Sequence, residues 1–480
     1  MERKSDLSSW MCQKHFDRVW HKGLLYKLKR AGIGGTLLEW LKNYLTDRKQ
    51  RVTMEGEISE TKCITAGVPQ GSILGPILFI LYINDLVEEL NVDIRLYADD
   101  VSLFIQYDNP DQAANQLQEN IKKCEQWATK WMVKFNPQKT MSLLFSRKRE
   151  PEAPILTMEN IIITEVEEHR HLGLTLQKNG KWTQQIKEIK TKASKRTDIL
   201  MGYMHQLGRR SLERLYTTYI RPIMEYGNIV WDNITDREAN ELEEIQIRAA
   251  RIITGAKRGT SHRLLYEDLQ WETLQMRRNK HKNFMMYQIK NKQVPETLTD
   301  LLPQSTAQRH GHNIRSKENI TQIKTKTSQT QNSFFPSSIK SWNELTIEKR
   351  GAGSLEAFKD GFKLDKVNKD HLDTGTREGQ ILLARLRLGN SDLNSNLYNI
   401  NLSESPKCEC GTPQETPTHY ILSCPNFNDL NEEMLEKISF VEEIDLTNIL
   451  NGSRKYSSLE NTTIINAVQT YILKSKRFNR

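Results

Sequence analysis

No stretch of this chain approaches twenty apolar residues without an intervening charge, so the sequence offers no helix able to cross a membrane. The first residues, Met1-Glu2-Arg3-Lys4-Ser5-Asp6, are polar and lack the apolar core of a secretory leader. Cysteine is scarce, six in 480 residues, which argues against a disulfide framework and for a reducing setting, nuclear or cytoplasmic. No internal repeat is visible. What the chain does have is length enough for two or three domains with substantial cores. It also carries a formal charge of +9, which suits a polyanionic partner without establishing one.

The stretch richest in chemistry is Tyr97-Ala98-Asp99-Asp100. Apolar residues alternate before it, in Val92-Asp93-Ile94-Arg95-Leu96, and after it, in Val101-Ser102-Leu103-Phe104-Ile105. Alternation on both sides of a short polar break predicts a β-hairpin with the two acids at its tip. Adjacent carboxylates held at one end of a sheet repel unless a cation sits between them, the arrangement of a divalent-metal site for phosphoryl or nucleotidyl transfer. A solvated turn is the plainer alternative. Upstream, Ala66-Gly67-Val68-Pro69-Gln70-Gly71-Ser72 predicts a glycine-rich turn, with Ser72 as N-cap of an apolar helix running from Ile73 to Leu86. Such a turn lets backbone approach a ligand or a nucleic-acid strand closely, although a plain loop before a core helix fits as well.

In this order the blocks resemble the palm of reverse transcriptases, specifically those of non-long-terminal-repeat (LINE-type) retrotransposons of the jockey and CR1 kind. The segment ending Asn136-Pro137-Gln138-Lys139-Thr140 resembles a further block of that family, and His171-Leu172-Gly173-Leu174 resembles its primer grip. Family-like sequence runs from about Phe16 to the C-terminus. The resemblance implies RNA-directed DNA synthesis with Mg²⁺ or Mn²⁺, an RNA template and a DNA primer. On it, Asp99 and Asp100 would hold metal, Phe16 would sense the sugar, and Gln70 and Gly71 would line the nucleotide or template site. Lys139 would act as general acid toward pyrophosphate, or be a solvated lysine.

One position departs from the family pattern. The block Met11-Cys12-Gln13-Lys14-His15-Phe16-Asp17 carries Met11 where the resemblance implies the metal-bridging Asp. A thioether is a poor ligand for hard Mg²⁺. Asp6 lies five residues too early, and Asp17 belongs to the following turn. The expected fingers segment does not precede this block, so the chain reads as an N-terminally truncated polymerase with impaired activity. A non-catalytic nucleic-acid-binding remnant is the alternative.

The fold expected is α+β: an incomplete palm over 1–150, an antiparallel sheet backed by helices, then a primer-grip-like connection over 151–185. Leu24, Leu25 and Leu28, then Leu37, Leu38, Leu41 and Leu45, predict two helices within 17–48, and Ala114, Leu117, Ile121, Cys124 and Ala128 predict one face of a helix over 110–133. A helical, basic thumb is expected over 186–290. Within it, Thr235-Asp236-Arg237-Glu238 is a capping box opening a helix that Gly255 ends. Arg248, Arg251, Lys257 and Arg258 gather near that end, either to track nucleic acid or as favourable charge at a helix C-terminus. Residues 291–340 read as a polar linker and 341–400 as a helical region.

The tail, 401–480, holds Cys408, Cys410, His419 and Cys424 in a C-x-C-x8-H-x4-C arrangement. Three soft thiolates and an imidazole complete a tetrahedron around zinc. Reduced, unliganded cysteines in a small core are the alternative. The segment also resembles the cysteine–histidine tail of LINE-type polymerases, which implies a knuckle contacting nucleic acid.

Overall fold

A computed structural model of the protein describes residues 4–11, 15–146, 154–306, 319–363 and 368–478. Cys12, Gln13 and Lys14 of the Met11 block, the boundary at 150/151 and residues 307–318 of the expected linker lie outside the described residues. The chain mixes strand and helix and divides into two compact units, 1–185 and 186–480.

In the first unit, β1 (Lys4–Met11) is the middle strand of a five-stranded sheet. Four two-residue strands, β2 (Lys49–Gln50), β3 (Thr53–Met54), β4 (Glu57–Ile58) and β5 (Lys62–Cys63), form small ladders outside it. The sheet continues with β6 (Asp93–Tyr97), β7 (Asp100–Tyr107) and β8 (Met141–Phe145). After the β9 (Thr157–Met158) and β10 (Ile161–Ile162) hairpin, β11 (Thr164–Glu165) rejoins it, giving the order β11-β8-β1-β7-β6. The expected all-antiparallel sheet is corrected here. The β9–β10 turn brings β11 back in the direction of β8, and that pair is parallel. Alternation also fails in β7, where Val101, Ser102 and Leu103 are all buried, as in an interior strand covered on both faces.

Helices α1 (His21–Arg30), α2 (Gly35–Leu45), α3 (Leu74–Ile83) and α4 (Pro110–Lys130) bury Leu24, Leu28, Leu41, Leu45, Leu117, Ile121 and Cys124 in one core with the sheet. On α4 the small residue in that core is Ala113; Ala114, placed on the face by the sequence, is only half-buried. Asn109 starts this helix by accepting from the Asp111 and Gln112 amides, with Pro110 at its first position. Lys27 of α1 is buried among the rings of Tyr82, Trp127 and Trp131, its Nζ 3.8 Å from the Trp131 centroid and 2.6 Å from Asp85. Burial pushes this ammonium down to about 8, against the pull of Asp85.

The second unit is helical: α5 (Thr183–Gly202), α6 (Arg209–Leu215), α7 (Arg221–Glu225), α8 (Asn228–Trp231), α9 (Asp236–Thr254), α10 (His262–Leu269) and α11 (Leu274–Lys290) lead into shorter helices. Both halves of the Thr235/Glu238 capping box form, and Gly255 caps the far end in the left-handed region with φ 77°. Buried charges tie distant segments together. Asp268 takes Arg209 at 2.7 Å and Arg387 at 2.7 Å on its two oxygens, and Asp232 takes Arg278 at 2.6 Å and Lys282 at 2.5 Å. Part of the expected linker is packed. Ile320 joins the core of Met286, Tyr287, Ile339, Trp342 and Phe358, and the Asn343 amide brackets its backbone at 3.0 and 2.9 Å. Val294, Leu302, Ile323, Phe334 and Phe335 of the same segment pack against that core.

Candidate active site and metal centre

The β6–β7 hairpin closes through the two residues Ala98 and Asp99, with Tyr97 paired to Asp100. Ala98 adopts φ 50°, the left-handed backbone that tight hairpins need. Asp99 therefore sits in the turn itself and Asp100 at the first position of β7, both half-buried. Across from Asp100, in the register between β1 and β7, stands Met11. Asp6 pairs with Ile105, five positions further along, which is about 17 Å at strand rise.

The glycine-rich loop packs backbone to backbone on the Phe16-Asp17 turn. Val68 donates to the Phe16 carbonyl at 2.7 Å and Gly67 to that of Val19 at 2.8 Å. A Cβ on Gly67 would lie 2.9 Å from the Asp17 Cα and from the Phe16 oxygen, and Gly67 has φ 95°, so only glycine fits. Gln70 is exposed and its Nε2 donates to Asp17 Oδ1 at 2.8 Å, a link the sequence did not reveal. Gly71 is also exposed, with φ 80°. The Phe16 ring packs 5.2 Å from Phe79. Helix α3 begins at Leu74, with Ile73 in the cap position. Ser72 contributes by accepting the Leu74 amide at 3.1 Å while Tyr44 donates to its hydroxyl at 2.6 Å.

In the Asn136–Thr140 block, Asn136 Oδ1 accepts the Gln138 amide, Pro137 starts a single 3-10 turn, and the buried Thr140 hydroxyl donates back to Asn136 O at 2.9 Å. The turn packs against β1 and leaves Lys139 exposed. The hairpin β12 (Glu168–His171) and β13 (Leu174–Gln177) turns through Leu172 and Gly173, with φ 47° and 80°. Burial lowers the His171 imidazole while the charge of Asp100 raises it, so this ring and that carboxylate feel one another's field. His169 lies alongside, ring centroids 6.4 Å apart. Two histidines at alternate positions of one strand were the available sequence signal for this pairing.

Of the four basic residues singled out near the end of α9, Arg248, Arg251 and Arg258 line one cleft between α5 and α9 of about 640 Å³. Arg248 reaches Asp198 at 2.5 Å and Arg251 lies 3.3 Å from the His262 ring. Lys257 does not line that cleft, because its ammonium pairs with Asp392.

The cysteine–histidine cluster closes. One donor atom from each of Cys408, Cys410, His419 and Cys424 lies within 4.8 Å of all the others. The Cys408 and Cys424 sulfurs are 3.7 Å apart, and the Cys410 sulfur is 3.2 Å from His419 Nε2. A tetrahedral zinc with thiolates at 2.3 Å requires a sulfur–sulfur edge of about 3.8 Å, so the donors fit the ion. Gly411, with φ 94°, lets the chain fold back so that its amide donates to Cys408 O at 2.9 Å. Burial pushes the Cys408 thiol up to about 12 and raises Cys424, whereas hydrogen bonds from Thr412 bring Cys410 down to about 6. A cation would reverse the first two, since a bound thiol is deprotonated. Nearby, Glu415 holds Arg477 through two 2.6 Å bonds and fixes the loop that carries His419. Among the described residues these four make up the group of three or more metal-ligating side chains.

The chain thus has a glycine loop packed on the Phe16–Asp17 turn and an Asp-Asp hairpin, and residues 7–188 match the family described as "Reverse transcriptase (RNA-dependent DNA polymerase)". That part of the chain is similar to the reverse transcriptases of non-LTR retrotransposons. It is 30% identical over 284 residues to the "Probable RNA-directed DNA polymerase from transposon BS" of Drosophila melanogaster, covering 56% of this chain and 31% of that protein. The polymerase of the mobile element jockey, also from D. melanogaster, is 31% identical over 256 residues, covering 51% and 28%. A Pol polyprotein from the R1 element of Bradysia coprophila is 22% identical over 433 residues, 88% of this chain and 40% of the relative. The chain thus spans about a third of the length of these curated relatives. Among the described residues no helix is long and apolar enough to cross a membrane.

Proposed function

We propose that the first unit is the palm of an RNA-directed DNA polymerase whose metal site is incomplete in this copy. Asp99 and Asp100 would hold Mg²⁺ or Mn²⁺, since carboxylates suit hard cations. The ions, when bound, would activate the primer 3′-OH and neutralise charge on the incoming triphosphate. Phe16 would sense the sugar, Gln70 and Gly71 would line the nucleotide or template site, and Lys139 would deliver a proton to pyrophosphate. Residues 151–185 would form the connection that carries the primer grip. Residues 186–290 would be the thumb, with Arg248, Arg251 and Arg258 on template–primer phosphates. Residues 291–340 and 341–400 would bridge to a zinc knuckle within 401–480. RNA template and DNA primer are the proposed partners.

The observation that carries the reading of an impaired copy is the register of Met11 opposite Asp100. A two-metal site needs a bridging ligand there, and methionine cannot serve. Losing it removes several kcal/mol of transition-state stabilisation, or orders of magnitude in rate. The same observation favours a second reading, a nucleic-acid-binding remnant without turnover.

Primer extension on an RNA template with Mg²⁺ or Mn²⁺ decides between them, comparing the native chain with Asp99→Asn and Asp100→Asn. Weak extension abolished by either substitution supports the impaired polymerase. No extension by any of the three, from a chain that unfolds cooperatively, supports the remnant. Robust native extension rejects the impairment.

A further inference from the structure

The second unit contains a cavity of about 960 Å³ that none of the readings above uses. Its wall is made by α6, α7, α11 and the segment around Lys359–Lys363. Seven basic side chains line it against two carboxylates, Glu213 and Glu272, among the described residues. The excess is felt inside. Burial lowers the half-buried Arg221 guanidinium, and Arg277 beside it lowers it further. Burial also lowers His281, and despite the raising pull of Glu225 the charges of Arg277, Arg221 and Lys359 push it the same way. Arg221 and Arg277 share a single carboxylate, Glu225, Arg221 at 3.9 Å and Arg277 through both of its oxygens. Lys280 pairs with Glu272 at 2.5 Å. These are cations held in place with too few anions to match them.

The wall is not only charged. Trp271 lines the cavity, stacked on Tyr216 with centroids 4.5 Å apart and anchored by its Nε1 to Glu213 at 2.9 Å. Phe284 lines it too, set edge-on to Phe362 at 5.6 Å with the Lys359 ammonium 5.7 Å from its ring centre. At the rim, Arg210 and Arg214 stand one turn apart on α6, both exposed. Four helical residues advance about 6 Å, comparable to the step between phosphates of an extended strand.

We propose that this cavity is a second nucleic-acid site, which seats a single strand with its phosphates on Arg221, Arg277 and the Arg210–Arg214 rim and a base against the Trp271–Phe284 wall. Fixed cations that track a backbone, with aromatic surface for bases, are what sequence-tolerant single-strand binding requires. A cavity built for a small anion alone would have no use for the aromatic wall or for cations spread out to the rim. The site lies within the second unit and shares no lining residue with the α5–α9 cleft.

The test uses the full chain and a single-stranded RNA dodecamer carrying 4-thiouridine. Ultraviolet crosslinks should map to peptides spanning residues 270–284. Arg210→Ala with Arg214→Ala, both exposed, should weaken binding about tenfold. The same pair should flatten the log–log salt slope by about 1.4, the value for two phosphate contacts on a single strand. An abasic oligonucleotide of equal length should bind clearly more weakly. Crosslinks elsewhere, or an unchanged slope in the double variant, overturn the site even if RNA still binds through the α5–α9 cleft. Equal binding of the abasic strand overturns the base-stacking wall, and competition by inorganic pyrophosphate at micromolar concentration would make it a small-anion pocket instead.

Discussion

Met11 stands directly opposite Asp100 in the register of β1 and β7. On the proposed palm, this register position is the one a bridging carboxylate would take. Met11→Asp should therefore raise the affinity of the chain for Mn²⁺, read from the resonance of free Mn²⁺, by at least about tenfold. That is the lower end of what even an outer-shell partner contributes. The gain should vanish when Asp100→Asn is added. Equal affinity in native and Met11→Asp chains would show that position 11 lies out of reach of the ion.

The cysteine–histidine cluster should take up one zinc per chain. Cobalt in its place should give the absorption of a tetrahedral thiolate site, and Cys408→Ser should remove it. A chelator should lower the thermal midpoint of the native chain and leave that of Cys408→Ser unchanged, since metal binding here is coupled to folding. A cobalt spectrum without thiolate bands would end the claim.

Arg248, Arg251 and Arg258 share one cleft, whereas Lys257 is engaged by Asp392. Replacing the three arginines with alanine should flatten the salt dependence of duplex binding by about 2.7 on a log–log scale. Lys257→Ala should leave that slope as it was. A Lys257 variant that behaves like the arginine variants would show that its ion pair with Asp392 opens on binding.

Glu415 and Arg477 are both buried and joined by two hydrogen bonds. Glu415→Gln leaves a guanidinium buried beside a neutral group and should cost about 3–5 kcal/mol in urea unfolding. Replacing both partners with apolar residues of similar size should recover most of that loss. If Glu415→Gln proves neutral, water reaches Arg477 and the pair is not sealed.

Lys27 supplies a pH dependence whose sign follows from its burial. Its folded value, about 8, lies below the ordinary 10.5. As pH rises from 8 to 10.5 the unfolded chain still holds a proton that the folded chain has released, so folding is favoured progressively. Relative to Lys27→Met, the native chain should gain about 3 kcal/mol across that window. A difference in stability that stays flat with pH would show the ammonium to be better solvated than its aromatic surround suggests.

Much of the first unit could be read from the sequence because its signals are local. The Asp99 hairpin, like the Thr235 capping box in the second unit, needs only a few neighbouring residues, and each formed where the pattern put it. The four donors of the tail were also legible, since thiols and imidazole at such spacing have few other uses. What stayed hidden depends on contacts across long sequence gaps. Gln70 to Asp17, His171 to Asp100 and Lys257 to Asp392 carry no periodic signature, and the parallel β8–β11 pairing is set by where the chain happens to return. Ile320 shows the same limit from the other side: in a segment of polar composition, it and a few scattered apolar neighbours found a core to enter.

The charges around Asp268 bear on how such a chain decays. Arg209 and Arg387 occupy its two oxygens from positions far apart in the sequence, and Arg377 reaches back to the Met204 and Ile252 carbonyls at 2.8 Å. A stop codon anywhere before residue 377 would leave Asp268 short of one cation and the end of α9 without its cover. Truncation before residue 377 would therefore not trim the helical unit harmlessly. A chain that loses its last hundred residues should surrender the fold of the preceding helices as well, visible as protease sensitivity in α9 and α10.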